Sequence, residues 1–289
     1  MKKIAIVTDS NAGIHQYEAS DGLFIVPMPF MIDNAEYFED INLDTKTFYE
    51  LQAEDKKIST SQPAPGDLTE IWNNILKDYD EIVYLPMSSG LSSSYHNAKM
   101  LAEDYNGKVE VVDTKRISVT LKMVVYDCLK LAKSGKSASE ILQLVENNSL
   151  NSSIYLMVDT LKYLKKGGRI TPVVAAIGSL FHIKPILQIQ GEKLDKYATV
   201  MNVIQAKQKM IAAIKRDIEN KFADDYKAGK LQISVAHTNN KEKLEQFAKE
   251  VKEAFPDIEF GYADELSLSV ACHTGPGVLA ITVSKKLTD

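Results

Sequence analysis

The nine residues Pro86-Met87-Ser88-Ser89-Gly90-Leu91-Ser92-Ser93-Ser94 join two segments of different period, and that junction limits the folds open to the chain. Before it, Glu81-Ile82-Val83-Tyr84-Leu85 is short, apolar and rich in β-branched and aromatic side chains, which predicts a buried strand. After it, residues 95–104 set Ala98, Leu101 and Ala102 on one face, which predicts a helix. The same order begins the chain, where residues 3–7 read as a strand ending at Thr8-Asp9-Ser10-Asn11. It recurs where the strand at 109–112 runs into Asp113-Thr114 ahead of a helix at about 119–133. Repeated strand–helix units build a parallel sheet with helices on both faces. Such sheets collect ligands at the carboxyl ends of their strands. A helix start adds unpaired N–H groups and partial positive charge, so this loop is a seat for a phosphate or a carboxylate. Serine is also a preferred N-cap, and any one of these hydroxyls can serve the backbone alone.

The remaining punctuation divides the chain in two. Residues 23–31 are broken by Pro27 and Pro29, which suits an edge strand or an extended loop. Asp44 caps a helix running to about Ala53, and Pro65-Gly66 opens another whose buried stripe is Leu68, Ile71, Ile75 and Tyr79, with Trp72 beside it in the core. Ser137 and Glu140 have capping-box spacing. The polar run at 147–151 marks a boundary between an N-terminal three-layer α/β domain, 1–150, and a C-terminal α/β domain, 151–289. In the second half, 154–158 is a strand, and Asp159 is placed to cap a short helix at 161–166 that Gly167-Gly168 stops. Thr171-Pro172 opens a further helix. Residues 186–190 and 194–200 form a hairpin around Gly191-Glu192, and 204–222 is a long amphipathic helix. A strand–helix–strand unit follows, built on residues 231–236, the stripe Leu244/Phe247/Val251/Phe255, and residues 258–262. Cys272-His273-Thr274-Gly275-Pro276-Gly277 reads as a tight turn before a last strand, which has the option of packing back on the first domain.

Composition excludes several functions. The net charge of −5 offers no basic field for nucleic acid, and the short cluster Lys165-Lys166-Gly167-Gly168-Arg169 suits a helix C-terminus. No apolar run reaches membrane-spanning length, since 173–183 is interrupted by Gly178, Ser179 and His182. The opening Met1-Lys2-Lys3-Ile4-Ala5-Ile6-Val7 is too brief for a signal-peptide core, so stable membrane insertion is not expected. Cys128 and Cys272 lie among apolar residues, which suits reduced, buried thiols and a cytoplasmic location. The five histidines lack metal spacing, and neither a dinucleotide fingerprint nor a Walker A pattern is present, so no metal or cofactor is expected. Gly90-Leu91-Ser92-Ser93-Ser94 lacks the final glycine of a nucleophile elbow. A serine hydrolase or acyl transferase pairing Ser92 with a distant His273 stays open, because folding assembles such sites.

Thr60-Ser61-Gln62-Pro63 is a second hydroxyl-bearing stretch shortly before a helix. Taken with Thr8-Asp9-Ser10, the Pro86–Ser92 run, Leu161-Lys162-Tyr163-Leu164-Lys165-Lys166-Gly167-Gly168-Arg169-Ile170 and His273-Thr274-Gly275-Pro276-Gly277, it resembles the DegV family of bacterial fatty-acid-binding proteins. Ile183-Lys184-Pro185-Ile186-Leu187 is similar to a sixth family stretch. The resemblance implies two α/β domains, a long-chain fatty acid such as palmitate in an apolar tunnel between them, and no catalysis by the protein itself. It implies that Thr60 and Ser92 hydrogen-bond the carboxylate, that Ser61 supports them, and that Arg169 and His273 lie near the same head group. It also implies a role in lipid transport or fatty acid metabolism, with a fatty acid kinase as partner. The chain departs from the family where Ser93 replaces a usual glycine, where His96 replaces a frequent glutamine, and where Val200-Met201-Asn202 lacks an arginine after the hairpin.

Overall fold

Burial without a break along β1 (Ile4–Asp9) sets this strand in the interior of the first sheet. The computed structural model describes residues 2–171, 183–191 and 193–288. The chain divides into two compact units, Met1–Leu150 with Ser267–Ser269 and Leu287–Asp289, and Asn151–Leu266 with Val270–Lys286.

In the first unit, β2 (Leu23–Val26) pairs with β1 and stops at Pro27, which has no N–H for the ladder. Pro29 then starts β3 (Pro29–Ile32) in a separate antiparallel sheet with β4 (Ala35–Phe38) and β5 (Ile58–Thr60). Between these strands runs α1 (Thr45–Ala53), where Asp44 accepts the Thr47 N–H at 2.9 Å. The chain continues through α2 (Pro65–Ile75), β6 (Glu81–Leu85), α3 (Ser94–Ala102) and β7 (Val109–Val111). It then forms α4 (Ser118–Lys133) and α5 (Ala138–Asn148). The main sheet has the order β2-β1-β6-β7 and is wholly parallel. Ala5, Val7, Ile82 and Tyr84 form one core with Leu68, Trp72 and Ile75 of α2 and Ala98 of α3. Strand side chains alternate, which leaves Ile4, Ile6 and Val83 for the opposite face, where α4 and α5 pack on the sheet. Ser137 and Glu140 make the expected reciprocal box at the start of α5, with bonds of 2.9 and 3.3 Å.

The second unit contains β8 (Ser152–Met157), α6 (Lys162–Gly167), β9 (Lys184–Ile189), β10 (Leu194–Val200) and α7 (Val203–Asn220). The short α8 (Ala223–Lys227) follows, then β11 (Leu231–His237), α9 (Lys241–Ala254) and β12 (Glu259–Glu265). Last come α10 (Leu268–Thr274) and β13 (Leu279–Lys285). Its sheet has the order β10-β9-β8-β13-β11-β12, antiparallel except for β11 and β12. The option of a last strand on the first unit is corrected, because β13 pairs with β8 on one side and β11 on the other. Met210 and Ile214 of α7 and Phe247 and Val251 of α9 bury this sheet through Tyr155, Ile233, Val235 and Ile281. The Tyr155 hydroxyl donates to Asp217 at 2.7 Å.

Three local expectations change. Asp159 does not cap α6; it pairs with Lys184 at 2.8 Å, while Thr160 Oγ1 accepts the Lys162 N–H at 3.1 Å. His273 lies in the last turn of α10 rather than in a free-standing turn. Thr60 ends β5, a strand the sequence did not mark, rather than standing at a helix start; α2 opens at Pro65 as expected, with Ala64 as a cap that offers no side-chain bond. The expected helix after Thr171-Pro172, the stretch 173–182 and Glu192 lie outside the described residues.

Trp72 is fully buried and meets Tyr84 and Tyr105 edge-on at centroid distances of 5.7 and 5.4 Å. Trp72→Ala is expected to cost about 3–5 kcal/mol of stability, read from urea unfolding. A loss below about 1 kcal/mol contradicts this packing.

Candidate functional site

The Pro86–Ser94 loop is fixed from three directions. Asp9, at the carboxyl end of β1, accepts the Met87 N–H at 3.0 Å and both the backbone and side-chain N–H of Asn11. Burial pushes its carboxyl up to about 6, against the lowering effect of those bonds. Asp113, two residues past β7 on the far side of β6, accepts the Ser89 N–H at 3.2 Å and the Ser89 hydroxyl at 2.5 Å. Lys115 donates to Ser89 at 2.9 Å and pairs with Asp113 at 2.9 Å. Burial would raise the Asp113 carboxyl, yet the bonds from Ser89 and Lys115 hold it below the usual range. The buried Ser88 donates its N–H to the Arg116 carbonyl at 3.0 Å.

These contacts separate the serines by role. Ser88 and Ser89 belong to the scaffold. Ser92 is half-buried; its Oγ accepts the Ser94 N–H at 3.2 Å and lies 2.8 Å from Ser94 Oγ. It thus serves the entrance to α3, and its oxygen retains further hydrogen-bonding capacity. Thr60 pairs with Phe30 across the small sheet, and Ser61 donates its N–H to the Pro29 carbonyl at 3.1 Å. Gln62 follows. Its Oε1 accepts from Asn97 Nδ2 at 2.5 Å and from Ser93 Oγ at 3.4 Å. The two hydroxyl-bearing stretches singled out in the sequence are therefore joined within the first unit. Gln62 was visible only as part of a motif, and nothing in its spacing announced a partner 35 residues away.

Arg169 and His273 belong to the second unit, where three glycines bring their segments into close packing. A Cβ on Gly167 would collide with the His273 ring, one on Gly275 with the Tyr163 ring, and one on Gly277 with the Asp159 carboxylate. Gly275 and Gly277 also hold φ of +77° and +86°, a region that L side chains resist. Thr238 pins the turn by donating to the Gly275 carbonyl at 2.6 Å and accepting the Val278 N–H at 3.0 Å. Arg169 is exposed and donates to the Gly167 carbonyl. Burial, then the nearby Arg169 charge, lowers His273 to about 4. Burial raises the neighbouring Cys272 thiol to about 12, so it is not a thiolate at neutral pH.

Among the described residues no group of three or more His, Cys, Asp or Glu side chains could hold a metal ion. No helix among them is long and apolar enough to cross a membrane.

A profile described as uncharacterised proteins of the DegV family matches residues 3–286. The chain belongs to the DegV family. A DegV domain-containing protein of Clostridium perfringens is 31% identical, with 97% of each chain covered. The fold is that of DegV proteins of known structure. A fatty acid binding DegV family protein of Streptococcus agalactiae has a TM-score of 0.85 at 25% identity, covering 99% of this chain and 100% of its own. DegV of Bacillus subtilis, described as a fatty acid binding protein, has a TM-score of 0.81 at 26% identity over the same shares.

The His273 setting gives a signed pH dependence. Between pH 6.5 and about 4 the unfolded chain takes up a proton that folded His273 refuses. Its contribution to stability is therefore complete above pH 6.5 and is lost as pH falls through 4. Asp9 acts in the opposite sense between 3.8 and about 6, because the folded protein takes its proton first. The comparison must therefore be with His273→Gln, in which Asp9 is unchanged. Acid should narrow the stability advantage of wild type over the variant, measured by urea unfolding at steps from pH 7 to 4. A gap that widens on acidification contradicts the placement.

Proposed function

We propose that this protein binds a long-chain fatty acid such as palmitate, with Thr60, Ser61 and Ser92 as hydrogen-bond donors to its carboxylate. The observation that carries this reading is the joining, by Gln62, of two hydroxyl-bearing segments beside an α/β sheet. Its relatives described as fatty acid binding proteins favour the same ligand class. A carboxylate taken from water must be hydrogen-bonded, and neutral hydroxyls satisfy it without fixing a counter-charge. The two ends of the ligand contribute differently. Sequestering a sixteen-carbon chain is worth up to about 10 kcal/mol, before association costs. Each hydrogen bond to the charged head is worth about 1.5–3 kcal/mol. An apolar tunnel would thus set affinity, while the hydroxyls orient the acid and select it over a hydrocarbon.

The proposed role is that of a carrier in lipid transport or fatty acid metabolism that presents the acid to a fatty acid kinase. There a carboxylate oxygen attacks the γ-phosphorus of ATP, the bond to the bridging oxygen breaks, and acyl-phosphate and ADP result. Arg169 and His273 would act on that step, Arg169 by offsetting the arriving negative charge. His273 is held neutral at pH 7 by burial and Arg169, so it would contribute through hydrogen bonding rather than charge. On this reading Ser92 binds the acid and does no catalysis itself; its hydroxyl oxygen also engages Ser94.

Titration with a fluorescent fatty acid tests the binding site. Thr60→Ala and Ser92→Ala should each weaken binding roughly 10- to 100-fold at near-wild-type melting temperature. Unchanged affinity in both variants contradicts the assignment. Labelling of Ser92 by a fluorophosphonate, if it requires His273, would replace the carrier reading with the hydrolase one.

A further inference from the structure

Resting on the fatty-acid reading, we infer that Gln62 is a positioning residue that sets the register between the Thr60–Ser61 donors and the Ser92 loop. The Thr60 segment is anchored to the small antiparallel sheet, through Phe30 and the Pro29 carbonyl. The Ser92 loop is anchored to the parallel sheet, through Asp9, Asp113 and the Arg116 carbonyl. The two sheets share no strand. Each set of hydroxyls is therefore rigid with respect to its own sheet, and a link is needed where a single carboxylate must meet both.

Gln62 supplies such a link one residue beyond Ser61. Its Oε1 takes the Asn97 Nδ2 donor at 2.5 Å, on the first turn of α3, and the Ser93 hydroxyl at 3.4 Å, next to Ser92. Ser92 in turn accepts the Ser94 N–H. One amide oxygen thus joins the strand end that carries Thr60 to the helix start that carries Ser92. An acceptor shared by two donors resists sliding in either direction more than a single bond does, and a site held to within about 0.5 Å needs such second contacts. Gln62 itself carries no negative charge, so it can stand beside a carboxylate without repelling it.

Fluorescent fatty acid titrations and thermal melts of wild type, Gln62→Ala, Asn97→Ala and the double variant test this inference. Each single substitution should weaken binding about three- to tenfold, the loss of one positioned hydrogen bond. The double variant should bind no worse than the weaker single one, because both remove the same link. The exchanged pair, Gln62→Asn with Asn97→Gln, keeps an amide on each segment across the same span and should recover affinity. A residue that only supports the fold would lower the melting temperature and leave affinity alone. Single variants that bind as wild type, losses that multiply in the double variant, or an exchanged pair that recovers nothing overturn the positioning role. A wild-type protein that binds no fatty acid overturns the ligand reading itself, and this inference with it.

Discussion

A buried carboxylate organises the first unit. Asp9 ends an interior strand of the parallel sheet and has no exposure to water. An ionised group in that position is tolerated only where hydrogen bonds replace its hydration, and Asp9 receives three N–H groups. One of them, from Met87, belongs to the loop that follows β6. The cost of burying Asp9 thus fixes the loop to the sheet, and the loop carries Ser92 to the start of α3. Asp113 repeats the device from the far side through Ser89. Two acids spaced across the sheet thus hold the loop that carries the serines, Asp9 through Met87 and Asp113 through Ser89.

The second unit reaches comparable precision by close approach. Gly167, Gly275 and Gly277 each stand where a methyl group would strike the facing segment, so α6 and the turn after α10 pack closely against each other. The consequence is electrostatic. The loss of water around the imidazole and, after it, the approach of Arg169 both disfavour the proton on His273. Gly275 and Gly277 additionally need positive φ, and glycine at these positions is therefore set by packing and backbone together.

Much of the scaffold was legible because it follows local rules. Asp44, Ser137 with Glu140, and Gly168 mark helix ends by capping chemistry, and Pro27 and Pro29 mark where the chain leaves one sheet and enters another. What stayed hidden depended on distant partners. Thr60 belongs to a three-residue strand whose existence rests on Phe30, Met31 and Ile32. The start of α10 carried no local cap signal in the sequence; there Glu39 accepts the Leu268 N–H and Asn11 the Ser269 hydroxyl. Asp159 had the right spacing to cap α6 and instead answers Lys184, 25 residues on. At the candidate site the hydroxyls were legible as residue types beside helices and as family motifs. Telling the scaffold serines from the proposed donor required knowing where Asp113, Asn97 and Gln62 fall.

The central claim is that the chain sequesters a fatty acid. The most direct measurement is solvent extraction of protein purified from its own cell, followed by mass spectrometry of the extract against a protein of similar size carried through the same steps. The proposal predicts a long-chain fatty acid at close to one per chain. A protein that yields no fatty acid above the control, and takes none up from added palmitate, contradicts it.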